Sequence, residues 1–146
     1  KSAAGADAEV FLYSEERVLP YYRPRLPALA FGQAAENEIS MHPRSWYDDN
    51  RISLFLSTRV DEISSGSPSV VAGGRRNDFD VLVIATGTVP AIPQFASAAP
   101  GAVVPLWNID NAREAGRRLK KGMKLAILGG GIIGIECALR AALGPR

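Results

Sequence analysis

The residue pattern predicts an α/β protein organised around parallel strands, on three observations. Short apolar runs of strand length alternate with segments of helical spacing, the order that builds a parallel sheet covered by helices. One such run, Lys124–Leu128, passes through Gly129-Gly130-Gly131 into a helical pattern at Ile132–Leu143. Another, Val81–Ala85, is apolar nearly throughout, as a strand buried on both faces is.

Taken in order, "AEVFLYS" at Ala8–Ser14 reads as a strand, preceded by the tail of a helix ending near Gly5. "EERVLPYYRPRLPALAFG" is proline-rich, aromatic and basic, and reads as a loop. "HPRSWYDDN" reads as a short helix opened by Pro43. Strands follow at Ile52–Leu56, Arg59–Ile63 and Ser69–Ala72, the last closed by a Gly73-Gly74 turn, and Arg75-Arg76 read as sitting in an exposed turn. After Val81–Ala85, a Pro/Ala/Gly-rich connection runs from Val89 to Pro105. "NIDNAREAGRRLKKG" has Asn108 or Asp110 as cap and Ile109, Ala112 and Leu119 on one face. Basic residues fill its last turn and Gly122 terminates it. Gly144-Pro145 marks the end of the final helix.

Composition excludes several classes. With 47% hydrophobic and 22% charged residues the chain has the make-up of a soluble globular protein. A dispersed net charge of +2 argues against nucleic acid. The apolar runs fall short of membrane-spanning length and no signal peptide is recognisable, so a cytoplasmic location is expected. Cys137 is the single cysteine, which rules out a disulfide within the chain and reads as a small buried thiol. His42, the single histidine, stands beside a proline as a loop or cap residue without a ligand cluster, so no metal site is expected.

Gly129, Gly131 and Gly134 make G-x-G-x-x-G between an expected strand and an expected helix. In a dinucleotide-binding unit the first glycine permits the tight turn and the second lets backbone approach a pyrophosphate. The third lets helix and strand pack closely, while the helix N-terminus presents N–H groups to the phosphates. The acidic residue that would hold the ribose lies about 20 residues on, beyond Arg146, so NAD and NADP are not distinguished.

An acidic pair after the first strand, Ala85-Thr86-Gly87 after the Val81 strand, and the glycine fingerprint further on occur in a telling order. With "FLYSEERVLPYYRPRLP", "WYDDNRISLFLSTRVDEI", "FDVLVIATGTVPAIP" and "LAILGGGIIGIECA", the whole chain resembles the flavin-dependent pyridine nucleotide–disulfide oxidoreductase superfamily, in its rubredoxin, ferredoxin and nitrite reductase branch. The resemblance implies two Rossmann-like three-layer domains, both incomplete. Residues 1–102 would be the middle of an FAD-binding domain without its first fingerprint, and residues 103–146 the opening of an inserted NAD(P)H-binding domain.

The resemblance also implies residue roles. Glu16, or Glu15 beside it, would accept hydrogen bonds from the FAD ribose, unless both are solvated turn charges. Arg23-Pro24 would run beside the pyrophosphate and flavin, arginine suiting phosphate contact. Val60 would meet the adenine through backbone, and Ala85, Thr86 and Gly87 would bring backbone close to the cofactor. Gly129, Gly131, Ile132, Ile133 and Gly134 would line the NAD(P)H pyrophosphate. Glu136 would stand near the flavin–nicotinamide junction as the one candidate catalytic residue, or else pair with Arg140 on the helix surface.

Two positions depart from the pattern. Ala28 stands where many relatives carry a lysine, removing a partner for Glu136, and Trp107 replaces an arginine before the inserted domain's first helix. These favour the nitrite or rubredoxin reductase side over the aromatic-oxygenase ferredoxin reductases. No cysteine lies between Glu16 and Trp46, where disulfide reductases keep their redox pair. The implied activity is therefore FAD-dependent hydride transfer from NAD(P)H, with electrons passed to a small acceptor protein or a reductase module. A flavin- and NAD-binding scaffold with little turnover is the alternative.

Overall fold

The computed structural model describes residues 8–99 and 101–144 and divides them between two compact units. The helix tail expected near Gly5 and the terminal Pro145 lie outside the described residues. Of the described residues, one unit takes 8–20 and 41–86, the other 21–40, 87–99 and 101–144. This packing division differs from the division at residue 102, because the segment after Pro20 packs with the later helices.

In the first unit, β1 (Val10–Tyr13) and β2 (Ile52–Phe55) pair in parallel, Val10 opposite Ile52 and Tyr13 opposite Phe55. Parallel strands need a crossover, and α3 (Arg44–Asp49) supplies its helix, packing on β2. Pro43 sits at the α3 N-cap, as the sequence suggests. Tyr47 is buried beneath it, and burial pushes its phenol pKa up. His42 stacks on Trp46 at 3.8 Å between ring centroids, a structural role for the single histidine. Tyr13 stacks on Phe55 at 4.9 Å across the strand pair.

Beyond β2, β3 (Val60–Ser64), β4 (Ser69–Ala72) and β5 (Arg75–Asp78) form an antiparallel meander in that order. Val70 and Ala72 are buried, and the ladder is bulged between Val60 and Glu62. Arg75 and Arg76 are not turn residues. They begin β5, opposite Ala72 and Val71, because Gly73 and Gly74 alone make the hairpin loop.

Val81–Ala85 and Lys124–Leu128 are not in strands. Strand geometry persists only where a neighbour takes up the backbone hydrogen bonds, and no described segment pairs with either run. Val81 is 81% exposed and Val83 79%, the reverse of the burial their apolar character implies.

In the second unit, α1 (Leu26–Ala30) buries Leu26, Ala28 and Ala30 and packs on α4 (Ile109–Arg118) and α5 (Ile132–Leu143). Asn108, one of the two expected caps, opens α4: its Oδ1 accepts the Asn111 N–H at 2.9 Å, and Asn111 Oδ1 accepts the Asn108 N–H at 3.3 Å. Ile109 and Ala112 are buried as their spacing implies. α2 (Glu36–Ile39) is tied to α4 by Arg113, which donates to both Glu36 carboxylate oxygens at 2.6 and 2.7 Å and to Asp110 at 2.7 Å. That guanidinium holds Glu36 below the ordinary carboxylate range. The ends of the 21–40 segment meet: Met41 N–H donates to the Pro20 carbonyl and Tyr22 N–H to that of Ile39, both at 2.9 Å.

Candidate functional site

The fingerprint loop has the geometry that its residue types require. Gly129 holds φ at +113°, a region that favours glycine. Gly131 is the N-cap of α5, and its carbonyl accepts the Ile135 N–H at 3.0 Å. A Cβ on Gly134 would fall on the carbonyl oxygen of Gly129, with the carbonyl carbon 3.0 Å away and Ile127 Cγ2 at 3.6 Å. The helix therefore lies against the loop at a distance no side chain permits. Cβ atoms on Gly129, Gly130 and Gly131 would instead meet nothing within 4 Å. The outer face of the loop is open backbone beside the N–H groups of Ile132 and Ile133 at the start of a twelve-residue helix. That is the setting for a bound pyrophosphate: backbone donors, a positive dipole end and no side chain in the way.

Glu136 and Cys137 lie on the same helix. Arg140 donates to Glu136 Oε1 from Nε at 2.8 Å and from Nη2 at 2.5 Å, so the helix ion pair is formed. Cys137 is half-buried, and burial, assisted by the Glu136 carboxylate, pushes its thiol pKa up. Such a thiol stays protonated, the opposite of what thiol–disulfide chemistry needs.

Arg23 opens a short 3₁₀ turn, Arg23–Arg25, with Pro24 in its first turn. Its Nη1 donates to the Trp107 carbonyl at 2.8 Å and to the Tyr21 hydroxyl at 3.3 Å. Its guanidinium carbon stands 5.0 Å from the Trp107 ring and 5.3 Å from that of Tyr21. The buried Tyr21 hydroxyl also accepts the Ile109 N–H at 3.1 Å, at the head of α4. Trp107 thus orients Arg23. No sequence signal marks that contact, since 84 residues separate the two. The neighbouring Tyr22 is exposed.

In the first unit, Glu15 and Glu16 follow β1. The Glu16 carbonyl accepts the Ser57 N–H at 3.0 Å, and the Ser14 carbonyl accepts the Thr58 N–H at 2.8 Å. This folds the β1 end onto the segment after β2, so Val60, the first residue of β3, is brought near the acidic pair. Glu15 lies 3.7 Å from Arg59 as an exposed ion pair. Ala85 and Thr86 are exposed and outside any strand, and Gly87 holds φ at +69°. The structure thus assembles two groups: Glu15, Glu16 and Val60 in the first unit, and the Gly129–Glu136 loop and helix in the second. Among the described residues no cluster could hold a metal ion, and no helix is long and apolar enough to cross a membrane.

A family model described as pyridine nucleotide–disulphide oxidoreductase matches residues 1–144. The rubredoxin–NAD(+) reductase of Pseudomonas putida is 33% identical over 139 residues, 94% of this chain and 36% of that protein. The ferredoxin–NAD(+) reductase component of the p-cumate 2,3-dioxygenase system, also from Pseudomonas putida, is 37% identical over 140 residues, 94% of this chain and 34% of its own length. Among solved structures, the covalent putidaredoxin reductase–putidaredoxin complex superposes with a TM-score of 0.84 at 30% identity, over 98% of this chain and 36% of that one. The chain spans about a third of the length of the curated relatives it matches. The dioxygenase reductase is at least as similar as the rubredoxin reductase, so Ala28 and Trp107 do not place the chain on the rubredoxin side. The superposition bears out the Rossmann-like α/β fold, in a share that suits two partial domains. With a match over nearly its full length and a glycine fingerprint of the required geometry, the chain belongs to the pyridine nucleotide–disulphide oxidoreductase family.

Proposed function

We propose that the chain forms part of an FAD-dependent NAD(P)H oxidoreductase that passes electrons to an external acceptor. Residues 1–102 serve the FAD domain and residues 103–146 the NAD(P)H domain, a division by cofactor that the packing units cut across. The observation that carries this is the Gly129–Gly134 loop, whose open backbone and close helix approach suit a pyrophosphate. The loop would hold the pyridine nucleotide's pyrophosphate, and the bound nicotinamide and flavin would supply the hydride and electron-transfer chemistry.

The chain's own residues bind and orient. Ile132 and Ile133 present backbone N–H groups to the nicotinamide dinucleotide's phosphates at the α5 N-terminus. Glu16, with Glu15 beside it, accepts from the ribose hydroxyls of FAD, and Val60 backbone meets the adenine. Arg23, with Pro24 stiffening its turn, faces the FAD phosphates, and Ala85, Thr86 and Gly87 let backbone approach the flavin. Glu136 borders the junction where nicotinamide meets flavin. Cys137, whose thiol pKa is pushed up by burial, is given no role in the transfer. The acceptor is a small iron–sulfur or rubredoxin-type protein, or a reductase module, in the cytoplasm.

The test is anaerobic titration of the full-length protein with NADH and NADPH, followed at the flavin absorption bands. Rapid bleaching by one nucleotide, with reoxidation by an added ferredoxin or rubredoxin, is the expected result. A bound flavin that neither nucleotide reduces identifies a scaffold and overturns the enzymatic reading.

A further inference from the structure

Glu136 is joined to more than its helix neighbour. Arg140 turns Nε and Nη2 to Glu136 Oε1, and its remaining nitrogen, Nη1, donates to Gln33 Oε1 at 2.9 Å. The same amide closes the circuit: Gln33 Nε2 donates to the Arg140 carbonyl at 3.2 Å and to the Gly144 carbonyl at 2.7 Å. Gln33 is itself fixed, since its backbone N–H donates to the Ala28 carbonyl at 2.8 Å, at the end of α1. An ordinary i,i+4 surface pair needs no third group and leaves both side chains in water. Here the Arg140 and Glu136 side chains are only 31% and 29% exposed, and an amide from a different element holds the arginine at both its side chain and its carbonyl. Both arginine bonds fall on Oε1, and among the described residues Oε2 takes none. The carboxylate is thus held by one oxygen and keeps the other as an acceptor.

We propose that Arg140, locked by Gln33, is the positioning cation for Glu136, so that the ion pair is the means by which the carboxylate is presented rather than a competitor to its role. Ala28 is 4% exposed where α1 packs on α5, and its carbonyl is the anchor for Gln33. The inference rests on the proposed location of Glu136 at the flavin–nicotinamide junction.

The experiment is a double-mutant cycle in the full-length protein, Glu136→Gln, Arg140→Met and the pair together, read as the anaerobic rate of flavin reduction at saturating NAD(P)H. Two groups acting as a unit are non-additive. Each single change should slow reduction about tenfold, and the double variant should be no slower. The NAD+ dissociation constant should stay within about twofold. A second readout needs no flavin: in the cofactor-stripped protein, Gln33→Leu should speed solvent exchange of the Arg140 Nε–H at least about fivefold, followed by ¹⁵N NMR. If Arg140→Met reduces normally while Glu136→Gln is slow, the positioning role is overturned and the location of Glu136 stands. If Glu136→Gln reduces normally, the location itself fails, and the inference with it. Should Arg140→Met not fold, Arg140→Lys and Gln33→Leu decide: slowed reduction in both supports the role, and unchanged rates overturn it.

Discussion

Alanine placed at Gly131 and at Gly134 should produce opposite failures, because the loop constrains the two glycines from opposite sides. At Gly134 the new methyl group would fall on the Gly129 carbonyl oxygen, with the carbonyl carbon at 3.0 Å. That neighbour is backbone and cannot rotate away, so α5 must shift, at a cost near the upper end of overpacking, about 3 kcal/mol. At Gly131 the methyl group would meet nothing within 4 Å, and φ is −74°, which any residue adopts. Only the weaker N-cap preference of alanine is lost, about 0.5 kcal/mol. In a full-length protein of the curated relatives' size, about three times this chain, these correspond to falls in Tm of roughly 4 °C and less than about 1 °C. Binding separates differently. If pyrophosphate lies on the open face, the Gly131 methyl group occupies its place and NAD+ affinity should fall about tenfold or more, equivalent to about 1.4 kcal/mol. The assay pairs thermal melting by circular dichroism with NAD+ titration of each full-length variant. A Gly131→Ala protein that binds NAD+ as tightly as the parent would refute the account of the loop. So would a Gly134→Ala protein that melts with it.

Other outcomes follow from single contacts. Asn108→Ala removes the acceptor for the Asn111 N–H and should lower stability by about 1 kcal/mol, measured by chemical denaturation. Glu36 has a folded pKa below its ordinary 4.5 because of Arg113, so its contribution is present above that value and lost as pH falls through the depressed one. Wild type should therefore exceed Glu36→Gln in stability at pH 7, by less than about 1 kcal/mol for so exposed a pair, and the gap should narrow as pH falls below 4.5 and close below the depressed folded pKa. Denaturant midpoints across pH check this, and a gap that widens in acid would contradict it. Cys137 should react with iodoacetamide more slowly than a free thiol at pH 8, and Cys137→Ser should leave flavin reduction within about twofold of wild type. A strong loss of rate in that variant would restore a redox role to the thiol.

Legibility in the sequence followed the range of the interaction. Elements set by local rules were readable: α5 from its glycines and apolar spacing, α4 from the Asn108 cap, the β4–β5 turn from Gly73-Gly74. The strand character of Val81–Ala85 and Lys124–Leu128 was not, because pairing is a property of two segments and no described partner runs beside either. The site divided along the same line. The fingerprint glycines carry their reason within six residues, and the structure shows it in the Gly129 carbonyl packed against Gly134. Arg23 is legible from its motif, yet the Trp107 carbonyl and the Tyr21 hydroxyl that orient it carry no signature. Gln33 carries no signal in the sequence: a lone amide in a loop says nothing until the helix it reaches, more than a hundred residues later, is in place.

The excursion of residues 21–40 has a closed mouth. Pro20 and Met41 are joined backbone to backbone, and Tyr22 and Ile39 repeat the join one step further out. The entropy of closing such a loop is set at the mouth and changes only slowly with what lies beyond it. An exchange at the Pro20 and Met41 junctions alone would carry Arg23 and Gln33 away from their partners Trp107 and Arg140, so the segment belongs with α4 and α5. Recombination within this family should therefore move residues 21–40 together with the later helices they pack on, a block that point substitutions spread along the chain cannot reproduce.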